Sequence, residues 1–142
     1  MSNPEQLDEI CRWVRFARED LEAAEALVTG EDFVPRHVCW LAQQAAEKAL
    51  KAALVSQEVD FPFRHDLDAL RNFLPDGWRV KTEHPDLAEL TEWAVEARYP
   101  GDWPDATVEA AQRAARQSRA VYDCIVIDLE QHGIRCTDAG EL

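Results

Sequence analysis

Residues Gln43-Gln44-Ala45-Ala46-Glu47-Lys48-Ala49-Leu50-Lys51 are built almost entirely from strong helix formers, and their charges recur at helical spacing. At 3.6 residues per turn, Trp40, Gln44, Glu47 and Lys51 share one face, and Leu41, Ala45, Lys48 and Ala52 share the neighbouring one. The small residues Ala42, Ala45, Ala49 and Ala52 let another backbone approach closely. One helix, predicted from about Pro35 to Gln57, thus carries packing and polar chemistry together and is expected to be the spine of a bundle.

Length and charge limit what that spine can belong to. A chain of 142 residues fits one domain, large enough to bury about two thirds of its unfolded surface. No apolar run approaches the ~20 residues that span a bilayer, so no membrane segment is expected. The N-terminal Met1-Ser2-Asn3-Pro4-Glu5-Gln6 lacks the basic and then apolar segments of a signal peptide, which points to a cytoplasmic location. Cys11, Cys39, Cys124 and Cys136 show no Cys-x-x-Cys spacing. Three of them fall inside apolar helical patterns, so reduced packing roles are expected rather than a disulfide or a metal site. A formal charge of −13 disfavours indiscriminate nucleic-acid binding, which draws its affinity from a dense basic surface.

Proline and glycine divide five amphipathic segments. Asn3 is placed to cap the first helix, Pro4 suits its first turn, and Gln6 completes a capping box. Ile10, Val14, Ala17, Leu21, Ala24 and Val28 then form an apolar stripe, which Trp13, Phe16, Ala23 and Leu27 are expected to widen toward the core. Thr29-Gly30 ends that helix. Leu67, Leu70 and Leu74 mark a short helix stopped at Pro75-Asp76-Gly77. Residues 78–82 read as loop or a short extended piece. Pro85 opens a fourth helix, closed by Pro100-Gly101-Asp102-Trp103-Pro104. A long last helix keeps Val108, Ala111, Ala115, Ser118, Tyr122, Ile125 and Leu129 on one side until Gly133. With no strand pair, the predicted architecture is all-α, an up-and-down bundle of four to five helices with antiparallel neighbours. One domain is expected over residues 1–133, with 134–142 as a frayed tail.

Arg18-Glu19-Asp20-Leu21, the alanine-rich spine, His65-Asp66-Leu67 and Ala97-Arg98-Tyr99-Pro100 occur in an order and spacing that resemble the HEPN domain family, the higher eukaryotes and prokaryotes nucleotide-binding domain. The resemblance covers roughly residues 6–132. It implies a helical bundle that commonly dimerises, is associated with nucleotide or RNA, and often occurs beside a minimal nucleotidyltransferase as a toxin and antitoxin pair. Members that cleave RNA carry an arginine, four to six residues and a histidine at the start of the final helix. Here the positions downstream of Arg98 are Trp103, Pro104 and Asp105, and the final helix has no histidine before His132. The one literal match is Arg79-Val80-Lys81-Thr82-Glu83-His84, between the third and fourth helices.

Individual residues sort by the chemistry they permit. Asp20 interrupts the apolar side of the first helix and needs a cation if buried, with Lys48 or Arg98 as the structural partner. Glu47 and Lys51, four apart in the favourable order, suit a surface pair or ligand binding. Gln44 belongs to the same polar set. His65 or Asp66 is placed to cap the third helix. Arg98 and Tyr99 combine a bidentate phosphate donor with a ring for base stacking. Arg113, Arg116 and Arg119 recur every third residue, as a basic stripe or as ordinary surface. No metal cluster, glycine-rich phosphate loop or serine nucleophile constellation is visible, and no cofactor is expected.

Three readings follow. The first is a non-catalytic HEPN-like module that dimerises and binds a nucleotide, an RNA or a nucleotidyltransferase partner through Lys48, Lys51, His65, Arg98 and Tyr99, with Asp20, Gln44, Glu47 and Asp66 as structural polar residues. The second is a metal-independent ribonuclease using His65 or His84 with Arg98 or Arg79. A purely structural helical dimer is the third and plainest.

Overall fold

The computed structural model describes residues 3–61, 66–96 and 105–136. These form six helices, α1 Pro4–Val28, α2 Pro35–Ser56, α3 Leu67–Asn72, α4 Arg79–Glu83, α5 Ala88–Glu96 and α6 Val108–Gln131. No strand occurs among the described residues, so the chain is an all-helical bundle in which α1, α2, α5 and α6 are the longer members.

The helix ends follow the sequence chemistry closely. Asn3 Oδ1 accepts the Gln6 backbone N–H at 2.7 Å, satisfying one of the donors a helix start leaves open. The Gln6 side chain does not close the capping box; its Nε2 donates instead to the Val55 carbonyl at 2.9 Å and ties α1 to the end of α2. Asp66 caps α3 by accepting from the Ala69 N–H, and Thr107 caps α6 in the same way. The α6 terminus turns through Gly133 at φ 81°, a left-handed position that glycine occupies without a Cβ clash. At the end of α2 the left-handed residue is Glu58, φ 56°, where a side chain costs about 1–2 kcal/mol.

α2 is the spine, touching α1, α3, α5 and α6. Ala42, Ala45, Ala46, Ala52 and Ala53 are fully buried along it, and their lack of bulk lets α1 and α6 close on either side. Ser118 of α6 donates to the Ala42 carbonyl at 2.7 Å from within that contact. The α1 stripe of Ile10, Val14, Ala17, Leu21 and Ala24 faces the core as predicted.

Several expectations are corrected. Phe16, Ala23 and Leu27 do not extend the core stripe, because they lie roughly 100–140° around the helix from its centre; Phe16 and Leu27 are 38% and 37% exposed. Val108 is likewise exposed at the head of α6. The segment read as loop after Gly77 contains α4, held by Asp128 of α6, whose Oδ2 accepts the Arg79 N–H at 2.8 Å. Cys39 and Cys124 are buried as expected, but Cys11 and Cys136 are joined in a disulfide with their Cα atoms 5.3 Å apart. The tail is therefore anchored as far as Cys136, with Ile134 buried and its N–H donating to Leu129. The remainder of the predicted tail, 137–142, lies outside the described residues.

Candidate functional site

The polar residues of α2 form two separate arrangements. On the inner side, Gln43 Nε2 donates to Glu47 Oε1 at 3.1 Å and Lys51 Nζ donates to Glu47 Oε2 at 2.9 Å. All three are buried. Gln44 extends the ladder by donating to Gln43 Oε1 at 2.7 Å. The Glu47 and Lys51 side chains are only 5% and 8% exposed, so this is a core pair and not the expected surface pair, since α2 has neighbours around most of its circumference. A buried pair offsets its desolvation only when both partners find further support. Glu47 has the Gln43 amide. Lys51 has two aromatic rings, Trp13 at 5.4 Å and Phe61 at 6.0 Å from its Nζ, distances at which a ring face attracts a cation.

The second arrangement faces outward. Lys48 Nζ donates to Asp20 Oδ2 at 2.5 Å, with side chains 26% and 22% exposed. This is the predicted partner for the carboxylate that interrupts α1. Lys48 and Lys51, two of the five residues considered for nucleotide binding, thus both carry carboxylate partners. His65, Arg98 and Tyr99 lie outside the described residues.

A cavity of about 810 Å³ opens where α1, the end of α2 and the following loop meet. Trp13, Phe16 and Phe61 supply aromatic walls, and Val55 and Val59 add aliphatic surface. Among the described residues its charged lining is uneven: Glu9, Glu58 and Asp60 face it with one guanidinium, that of Arg12. Trp13 and Phe61 are the rings that hold Lys51, so the cavity and the buried ladder share a wall.

The last-helix arginines are not a continuous basic stripe. Arg119 forks onto Glu25 at 2.6 and 2.9 Å and also reaches Asp123 at 3.2 Å. The hydrogen bond from Arg119 lowers the Glu25 pKa, and the same contact raises that of Arg119. Arg113 pairs with Glu89 at 3.2 Å. Arg116 stays exposed beside a second open hollow of about 830 Å³ between α1 and α6.

The literal Arg79–His84 spacing falls on α4 and its C-cap. His84 lies past the last helical residue in a non-helical conformation, φ −128° and ψ 66°. Burial lowers the His84 pKa and keeps its ring neutral at neutral pH, while its carbonyl accepts from Arg71 at 2.8 Å. Beside it, burial is the main cause that pushes the Cys124 thiol up to about 12, so it stays protonated and a poor nucleophile. Trp78 stacks on His132, centroids 4.7 Å apart. Among the described residues, neither cavity is lined by a histidine, and no cluster of His, Cys, Asp and Glu is arranged to hold a metal ion.

Sequence reasoning missed the role of Trp13, placed in the core, and of Phe61, treated only as part of a break between helices. Asp128 and the Cys11–Cys136 link had no local signal, because their partners are 49 and 125 residues away.

No helix among the described residues is long and apolar enough to cross a membrane. No curated protein and no solved structure matches the chain. The family model of the HEPN domain matches residues 10–130, which takes in α2 to α5 whole, most of α1 and nearly all of α6, and the chain belongs to the HEPN domain family.

Proposed function

We propose that this HEPN domain works by association, as a homodimer and as a binding module, and that it does not cleave RNA. The observation that carries this reading is the outer face of α1. Phe16, Ala23 and Leu27 are exposed there on one side of the helix. The charges beside them, Asp20 and Lys48, already neutralise each other. An apolar, locally neutral strip on a chain of net charge −13 is where two copies approach with least repulsion. The resemblance read from the sequence supplies the remaining partners of this proposal, a nucleotide, an RNA or a minimal nucleotidyltransferase, and a toxin and antitoxin setting. Nucleotide or RNA contact would rest on His65, Arg98 and Tyr99 more than on Lys48 and Lys51, whose charges are matched. That neither cavity is lined by a histidine among the described residues supports the non-catalytic side.

Sedimentation velocity on the wild type and on Phe16→Glu/Leu27→Glu tests the association. A dimer converted to a monomer of unchanged helix content is the expected outcome. A monomeric wild type, or a dimer indifferent to both charges, refutes it. RNA cleavage abolished by His84→Ala would overturn the non-catalytic reading.

A further inference from the structure

The cavity at the end of α2 has a chemistry that the association reading leaves unused. Its aromatic walls give a flat apolar surface, yet among the described residues its charged lining is three carboxylates against one guanidinium. Among the described residues, no ion pair claims Glu9, Glu58 or Asp60. A phosphate-bearing ligand entering here would meet unpaired negative charge. A cation would meet ring faces and carboxylates together, the combination that selects ammonium and guanidinium groups.

The protein already uses these two rings for a cation. Lys51 lies against Trp13 and Phe61 from the interior side, and its charge is matched by Glu47, so the Lys51–Glu47 pair as a whole adds little repulsion against a second cation on the cavity side. Glu58 itself ends α2 in a left-handed backbone position at φ 56°, where glycine is the relaxed choice.

We propose that this cavity binds a small organic cation, an alkylammonium or guanidinium compound, whose charged head lies against Glu58 and Asp60 and whose carbon body lies on Trp13 and Phe61. The volume of about 810 Å³ is within the range of small-molecule sites. Phe16 belongs both to the cavity wall and to the outer strip of α1, but the ligand contacts proposed here, Glu58, Asp60, Trp13 and Phe61, lie outside that strip.

Calorimetric titration of the full chain with agmatine and with spermidine, at fixed ionic strength, tests it. At least one of the two should bind saturably. Glu58→Gln/Asp60→Asn should weaken that binding at least tenfold. Glu109→Gln/Glu130→Gln, which removes the same charge from exposed sites on α6, should leave it unchanged. Glu58→Gly separates fold from function, because it relieves the backbone while deleting a carboxylate. It should raise Tm and still weaken binding. Absence of saturable binding to both cations overturns the proposal. So does an equal loss in the α6 control, which would reduce the effect to bulk attraction by an acidic protein.

Discussion

Both α2 and α6 repeat charges every three or four residues, Glu47 and Lys51 on the one and Arg113, Arg116 and Arg119 on the other. Four of their pairs, one within α2 and three across helices, end in different environments. On α2, Glu47 and Lys51 are almost sealed from water, and Lys48 with Asp20 is about a quarter exposed. On α6, Arg119 with Glu25 is about a third exposed, and Arg113 with Glu89 is half exposed. The difference comes from the neighbours. α2 is enclosed by four other helices, whereas the arginine side of α6 looks past α1 into solvent. The energetic worth of a charge pair is therefore set by the tertiary position of its helix and not by the spacing that announces it.

That gradient can be broken at either end. Glu47→Ala, which strips the buried Lys51 of this carboxylate, should destabilise by about 3–5 kcal/mol, read by chemical denaturation. The double change Glu47→Leu/Lys51→Met should recover most of that loss, and failure to recover it would mean that the ladder fixes packing as well as charge. Asp20→Ala should lose on the order of 1 kcal/mol, between the limits for buried and surface pairs. A loss as large as that of Glu47→Ala would erase the distinction within α2. For Glu25 and Arg119 the test is acid. The lowered Glu25 pKa means that the pair stabilises fully above the ordinary carboxylate value of 4.5 and loses that contribution as the pH falls through the lowered value. Glu25→Gln should accordingly lower stability by a constant amount above about pH 6 and converge on the wild type as the pH falls below 4.5, flattening the acid limb of the profile. Arg113→Ala, at the exposed end, should leave Tm where it is.

Much of the fold is legible in the sequence because local rules decide it. Asn3-Pro4, Pro35 and Gly133 set helix boundaries through capping and backbone conformation, which need no knowledge of partners. The alanines of α2 announce close packing for the same reason. Rotation about a helix axis is a different matter. α1 carries two apolar stripes, and only the arrival of α2 and α6 decides that Leu21 is buried while Leu27 is exposed. The five-residue α4 was equally hidden, since its first free N–H is satisfied by Asp128 from another helix. Of the candidate site, the Asp20–Lys48 pair was readable from one misplaced carboxylate. The aromatic cavity was not, because Trp13 and Phe61 meet only across the bundle.

The link between Cys11 and Cys136 turns the bundle into a covalent ring. Tension applied at the two ends of the chain would run through the first turns of α1 and that sulfur bridge, and bypass the rest of α1 and all the other helices. In a pulling experiment the oxidised molecule would yield only the short segments outside the ring. After reduction, the 125-residue separation would be released, adding about 40 nm of contour at roughly 3.5 Å per residue. The helical core is in this sense mechanically silent until its ring is opened.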